Sequence, residues 1–321
     1  MTDTTMDFGS KKWEVDLTCY ERYRRIVPDY DKFLEYLRRP LPYSIRVNTL
    51  KISPERLIKR LEKRGFKLEP VKWNPWFYVI REIGGIGQPG KTLEHALGYY
   101  YVQELVSALP PIVLDPQPGE QVLDMAAAPG SKTTQMAQLM ENKGLIVAND
   151  VDIERIRALK SNIDRLGVLN VVITKMDGRR FFSRRIFDKI LIDAPCSSEG
   201  IVRKDPSAPT KISMKERVKL SRLQKGLVSR AYRLLKKEGT LVYSVCTFSP
   251  EECEEVVDHA IRIGFEPIEV KLPIRGIKGV RKWVDERGRT HEYDKGVEKS
   301  VRIYPHLNDT GGMFIAKLKK I

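Results

Sequence analysis

A chain of 321 residues that is 41% hydrophobic and 31% charged can bury a sizeable core in one large or two smaller domains, which excludes a disordered chain. Its 57 Lys and Arg outnumber its 42 Asp and Glu, and the net charge of +15 favours a polyanionic partner, nucleic acid before any other. Four cysteines, at positions 19, 196, 246 and 253, are too few for a disulfide framework and lack the paired spacing of a zinc site. No apolar run reaches the length of a membrane span, and the opening MTDTTMDFGSKKWEVD has no apolar core for a signal peptide. A reduced, cytoplasmic protein is expected, with neither a membrane nor a metal among its partners.

Taken in chain order, residues 21–39 show helical spacing (Tyr23, Ile26, Tyr30, Phe33, Leu34, Leu37) closed by Pro40 and Pro42. Residues 44–51 alternate like a strand. Ser53 and Pro54 read as an N-cap and first helical residue, and Gly65 ends that helix. Two short strands follow at 67–72 and 77–81. The βαββ pattern predicts a small α+β domain over residues 1–90, in which Trp73, Trp76 and Tyr78, mixed with Arg46, Lys51 and Lys72, either pack internally or stack on RNA. The turn-rich 83–90 forms a hinge, and 95–110 reads as a helix.

From residue 91 to 321 a second domain is predicted. Strands at 121–125, 145–149, 171–175, 189–193 and 240–245 alternate with helices at 132–140, 152–166, 214–237 and 250–263, with short strands near 267–271 and 313–318. Ser213 and Glu216 form a capping box for the long helix. Such alternation predicts an α/β, Rossmann-like, mostly parallel sheet. Residues 274–299 read as a basic surface loop.

The chemistry gathers at the strand ends, where open α/β sheets bind ligands. The first strand runs into LDMAAAPGSKT, which has too few glycines for a dinucleotide fingerprint and the wrong order for a phosphate loop. A tight turn of small residues ahead of a helix remains, suited to close approach by a ligand. Acids stand at four successive strand ends: Asp124, Asp150, Asp177 and Asp193. Singly each is as good an N-cap as a ligand; together they favour a nucleoside-type cofactor, with Asp150 on a ribose diol and Asp177 on an adenine amino group. Without a phosphate motif, S-adenosylmethionine fits better than NAD or ATP. Cys196 and Cys246 each end a strand at this edge. Alone, Cys246 reads as a buried thiol; as a pair beside a methyl donor, the two suit covalent catalysis of base methylation.

On these residues the sequence resembles the Nol/Nop/Sun (Fmu) family of RNA cytosine-5 methyltransferases. The matching stretches are SIRVNTLK, YVQELVSALPP, VLDMAAAPGSKT, IVAND, KMDG, LIDAPCSSEGIVRKDP, YSVCTFSPEE and RIYPHLNDTGGMFIAKL. Cys253 departs from the Asn usual after the PEE run, and Val245 stands where Thr or Ser often precedes the second cysteine. The resemblance implies a seven-stranded methyltransferase sheet with its last strand antiparallel, behind an RRM-like N-terminal domain that binds RNA. It implies that S-adenosylmethionine contacts Ala126, Ala127, Ala128, Pro129, Gly130, Ser131, Lys132, Asp150, Arg155, Asp177 and Asp193. It also implies Cys246 as nucleophile and Cys196 as the residue that helps release product. The chemistry of such a methylation puts Asp193 on the N3/N4 edge of the base, and Arg203 and Lys204, just past Cys196, read equally as RNA contacts or as solvated loop charges. A chain with no further appended module points to transfer RNA as substrate and to a monomer. Alternatives are a ribosomal-RNA enzyme, a DNA-type enzyme with Cys196 attacking, and a non-catalytic RNA-binding factor of the same fold.

Overall fold

The computed structural model describes residues 14–85, 87–184, 186–208 and 213–321. A 3-10 turn, Thr18–Tyr23, precedes helix α1 (Tyr30–Leu37). The single helix expected over 21–39 is interrupted between them, where Pro28 lacks an amide donor and Asp29 adopts a left-handed φ of 48°. Strand β1 (Ser44–Val47), helix α2 (Pro54–Glu62), strands β2 (Lys67–Pro70) and β3 (Phe77–Glu82), helix α3 (Leu93–Ala96) and strand β4 (Tyr100–Val102) follow. Ser53 Oγ accepts from the amide of Arg56 at 3.5 Å with Pro54 next in line, so α2 starts where its cap dictates. The four strands form an antiparallel sheet in the order β2-β3-β1-β4, the βαββαβ arrangement of an RRM-like fold.

The helix expected over 95–110 is a correction. Gly98 turns the chain at a φ of +72°, where a Cβ would meet the carbonyl oxygen of Arg165 at 1.8 Å. The aromatic, β-branched run that follows then pairs with β1, Tyr100 opposite Val47 and Val102 opposite Ile45. This fourth strand lies beyond residue 90, where the chain was expected to divide.

The reading of the aromatics as RNA platforms also meets packing. Trp73 stacks on Phe77 with ring centroids 5.7 Å apart. Arg46 is buried, donating to Gln103 Oε1 at 2.6 Å, the carbonyl of Ser131 at 2.9 Å and Thr134 Oγ1 at 2.9 Å. Burial lowers that guanidinium to about 9. The small sheet thus lays one face on the helix Ser131–Leu139 of the second unit.

That unit opens with helix α4 (Leu109–Leu114) and strand β5 (Gln121–Asp124). Helix α5 (Ser131–Leu139), β6 (Leu145–Asp150), α6 (Ile153–Leu166), β7 (Val171–Lys175) and β8 (Phe187–Asp193) continue the alternation. Helix α7 (Met214–Leu234), β9 (Leu235–Val245), α8 (Glu254–Arg262), β10 (Phe265–Ile268) and β11 (Ile277–Lys278) come next. A hairpin of β12 (Lys282–Val284) and β13 (Thr290–Glu292), then β14 (Val301–Ile303), α9 (Pro305–Asn308) and β15 (Met313–Lys320), end the chain. The main sheet runs β7-β6-β5-β8-β9-β15, parallel as far as β9 with β15 antiparallel to it, as the resemblance implies. The place beyond β15 is filled by two short strands, β10 and β14, one after the other along it.

β8 sits at the centre of this sheet, and its residues alternate between two cores. Ile190 and Ile192 face the side covered by α7 and α8; Leu191 faces the side of α4, α5 and α6. All three are fully buried, worth about 1.5–3 kcal/mol each in apolar burial. The stretch 274–299 is no simple surface loop, because the hairpin within it buries Trp283 and the segment after it buries Tyr293 and Val297 in the same core. Helix α8 begins four residues later than expected, so Cys246 has no helix N-terminus beside it.

Candidate active site

The turn after β5 is shaped by its neighbours. Gly130 has a φ of +101°, and a Cβ there would meet Leu159 Cδ1 of α6 at 2.8 Å, which explains the glycine in a run of otherwise small residues. The side-chain amide of Asn149 donates to the carbonyls of Met125 at 3.2 Å and Met176 at 3.0 Å, tying the ends of β5, β6 and β7 together. Asp150 is buried, and each carboxylate oxygen takes one amide hydrogen bond, from Ala128 and from Asp152, both at 3.1 Å. One acceptor position on each oxygen stays free for a pair of hydroxyls such as a ribose diol. Arg155 reaches back to donate to the Ala128 carbonyl and lies 3.6 Å from Asp150. Asp177 caps the turn Gly178–Arg180, accepting from the Arg179 amide at 3.0 Å and pairing with its guanidinium at 2.5 Å. Asp124 lies deepest: it accepts from Thr133 Oγ1 at 2.7 Å, and burial pushes its carboxyl up to about 7. Acceptors, a small-residue turn and an exposed strand edge together fit a nucleoside-bearing cofactor.

β8 and β9 pair in parallel with Asp193 opposite Ser244, and this register brings the next residues of both strands together. Ser244 Oγ donates to Asp193 Oδ1 at 2.8 Å, and Lys132 Nζ donates to Asp193 Oδ2 at 2.6 Å and to Ser107 Oγ at 3.1 Å. Burial works against the charge on Lys132, but the Asp193 carboxylate raises its pKa. Past the strand ends, Cys196 Sγ and Cys246 Sγ lie 3.3 Å apart, with Ser198 Oγ 3.8 Å from Cys246 and 4.0 Å from Cys196. Both thiols are free and half-buried.

The pair does not titrate symmetrically. A hydrogen bond from the Cys196 thiol lowers Cys246, aided by Ser198 and Lys132, and outweighs the opposing burial and the Asp193 charge. Cys196, as the donor, is held well above the ordinary thiol range. The arrangement therefore favours ionisation at Cys246 over Cys196.

Cys246, Asp193, Lys132, Ser107 and Ser131 line a cavity of about 260 Å³, walled on the other side by Tyr101, Gln103 and Glu104 from the end of the small sheet and by Gly311–Met313. Burial raises the Glu104 carboxyl, which accepts from the amides of Gly311 at 3.0 Å and of Val106 and Ser107 at 3.1 Å. Both units of the chain thus build the pocket.

Residues 111–319 match the family described as 16S rRNA methyltransferase RsmB/F, and residues 18–105 match the N-terminal domain of 16S rRNA methyltransferase RsmF. The chain belongs to this family. It is 43% identical to a tRNA (cytosine(49)-C(5))-methyltransferase of Pyrococcus abyssi over 98% of this chain and 99% of the relative. It is 39% identical to the ribosomal RNA small subunit methyltransferase F of Shewanella woodyi, where 91% of this chain spans 60% of the longer relative. Among solved structures, a methyltransferase homolog protein from Pyrococcus horikoshii superposes with a TM-score of 0.81 at 37% identity, covering 94% of each chain. NSun6 from the same organism, solved with the S-adenosylmethionine analogue SFG, gives a TM-score of 0.81 at 29% identity over 94% of this chain and 96% of that one. The methyl donor of this RsmB/F methyltransferase is S-adenosylmethionine.

The structure brings Cys196, Cys246, Asp193 and Lys132 together, and rings the turn with Asp150, Arg155 and Asp177. It separates Arg203 from its expected role as an RNA contact. The Arg203 guanidinium is buried, donating to the carbonyls of Arg39 at 2.9 Å, Pro40 at 3.2 Å and Thr310 at 3.0 Å and pairing with Asp309 at 2.7 Å, so it fastens loops instead. Lys204 beside it is exposed and lines the cavity. Sequence reasoning missed Ser198, Ser244 and Glu104. Only the strand register and the fold-back of residues 311–313 reveal them.

Proposed function

We propose that this RsmB/F methyltransferase methylates C5 of cytosine in RNA, transfer RNA in particular, through a covalent adduct of Cys246 with C6. The observation that carries this reading is the thiol pair, 3.3 Å apart with the thiolate favoured on Cys246. Cytosine C5 is a poor nucleophile until a thiolate adds to C6 and makes C5 carbanion-like. Asp193 accepts from the N4 edge of the base, and Lys132 beside it offsets the negative charge that builds on the ring. Once C5 has taken the methyl group, a water molecule accepts the C5 proton, and the C5–H bonding pair restores the C5–C6 double bond and expels Cys246 as thiolate. The Cys196 thiol stabilises that leaving sulfur by hydrogen bonding to it.

The turn of Ala126, Ala127, Ala128, Pro129, Gly130, Ser131 and Lys132, with Asp150, Arg155, Asp177 and Asp193, holds S-adenosylmethionine, which supplies an electrophilic methyl group when bound. Asp150 takes the ribose hydroxyls on its two free acceptor positions. We divide the chain between residues 105 and 106, so that β4 stays with the N-terminal unit. That unit contributes phosphate contacts through Arg56, Lys59 and Lys63, which line a surface depression on α2 with Lys51 and Tyr99. The target base leaves its stack to enter the cavity.

Transfer RNA is supported by the full-length similarity to the archaeal relative, whereas the bacterial relatives named for ribosomal RNA extend well beyond the span this chain covers. The match of residues 18–105 to the RsmF N-terminal domain supports the second reading, small-subunit ribosomal RNA. Incubation with labelled methyl donor and either bulk transfer RNA or small-subunit ribosomal RNA, followed by nucleoside analysis, decides between them. Label in 5-methylcytosine of transfer RNA is expected, with position 49 the first to examine; label in no cytosine contradicts the reading.

A further inference from the structure

Glu199 takes part in no step described above, yet its side chain is 1% exposed and joins both cysteine loops. It lies three residues past Cys196, directly after Ser198, whose left-handed φ of 59° swings it inward. Its Oε2 accepts from Thr247 Oγ1 at 2.9 Å and from the Phe248 amide at 3.3 Å, the two residues after Cys246. Its Oε1 pairs with the Arg217 guanidinium of α7 at 2.6 Å. The hydroxyl of Tyr23 donates to the carboxylate at 2.8 and 3.0 Å, and that of Tyr20 donates to the Glu199 carbonyl at 2.7 Å.

We propose that Glu199 is a positioning residue for the thiol pair: it clamps the Cys196 loop to the Cys246 loop and so sets the approach of the two sulfurs. Neighbouring bonds act in the same direction. Ser197 Oγ lies 2.6 Å from Thr247 Oγ1, and the Gly200 amide donates to the Cys246 carbonyl at 2.9 Å. The Ser197 amide donates to Glu252 Oε2 at 3.0 Å. A buried carboxylate is costly unless paired and hydrogen-bonded, and here the bonds that satisfy it tie three segments to the site: 247–248, α7 and the first turn. The 3-10 turn that supplies Tyr20 and Tyr23 belongs to the N-terminal part of the chain, so that part fixes the register of the thiols as well as walling the cavity.

The charged and titratable groups around the clamp are Arg217 from α7, Cys19, Tyr20 and Tyr23 from the first turn, and Glu252 and Cys253 beyond β9. Those facing Cys246 itself are Cys196, Asp193 and Lys132. If the clamp sets the Cys196–Cys246 hydrogen bond, loosening it removes the main influence that favours the Cys246 thiolate.

The inference rests on Cys246 being the attacking thiol, but its test needs neither RNA nor turnover. In the full chain, the rate of iodoacetamide labelling of Cys246 is followed against pH by mass of its peptide, for wild type, Glu199→Gln and Thr247→Val, with melting temperatures measured in parallel. Thr247→Val removes the hydroxyl that bonds both Glu199 and Ser197 without leaving Arg217 uncompensated, so it decides the matter if Glu199→Gln fails to fold. Both variants are expected to move the labelling midpoint up, with labelling at neutral pH slowed about tenfold for each pH unit of the shift. A lowered melting temperature with an unchanged midpoint overturns the clamp, as it would show a role in stability alone. An RNA adduct formed by Cys246→Ala would instead break the underlying assignment of the nucleophile.

Discussion

The loops that follow β8 and β9 bring their cysteines 3.3 Å apart, with Cys246 in the wall of the cavity, but they treat the thiol differently. The sulfur of Cys246 receives a hydrogen bond from Cys196, with the Lys132 ammonium nearby, so its thiolate is favoured. Cys196 is held well above the ordinary thiol range by its hydrogen bond to Cys246, by burial and by the charges of Cys246 and Glu252. Two equivalent strand-end positions therefore differ in how readily they ionise because of their partners, with no α-helix N-terminus at either one.

Four changes would break or sharpen this contrast. The largest effect is expected from Cys246→Ala: loss of the nucleophile should lower turnover by roughly 10⁴-fold or more while S-adenosylmethionine binding, read by calorimetry, stays intact. Asp193→Asn should lower kcat by about 10²–10³-fold, since it removes the charge that Lys132 and Ser244 hold in place; steady-state kinetics on RNA would show it. Cys196→Ala removes the donor to the Cys246 thiolate. Because that bond lowers the Cys246 pKa, its loss should move the rising limb of the pH dependence of thiol reactivity to higher pH, in a labelling assay without RNA. The smallest change should come from Lys59→Glu with Lys63→Glu, outside both loops. Each lost phosphate contact should reduce the salt slope of RNA binding by about 1, leaving the pH dependence of Cys246 labelling where it was.

Much of the second unit was legible because its strands are short apolar runs and its two longest helices, α6 and α7, carry side-chain caps. Asp152 and Ser213 start α6 and α7 where their side chains meet the free amides, as the sequence suggests. The acids at strand ends and both cysteines were legible for the same reason: a parallel sheet gathers its strand ends on one edge. Other features depend on contacts that no local pattern carries. β4 looks helical by its spacing and becomes a strand because β1 offers it an edge. The β12–β13 hairpin has strands of only three residues, held by Trp283 packing inward. Glu199 lies in the polar run SSEG, where nothing local distinguishes it from a solvated loop acid. Its partners come from three separate segments, and only the folded chain shows them.

The contrast between the two thiols is tested most directly by trapping. Cys196→Ala and Cys246→Ala are each incubated with S-adenosylmethionine and transfer RNA, then run on a denaturing gel that separates free protein from protein–RNA adduct. Cys196→Ala is expected to accumulate a stable adduct, because its C6–S bond forms but does not break without the donor, and Cys246→Ala is expected to give none. An adduct in Cys246→Ala and none in Cys196→Ala would contradict the account and make Cys196 the attacking thiol.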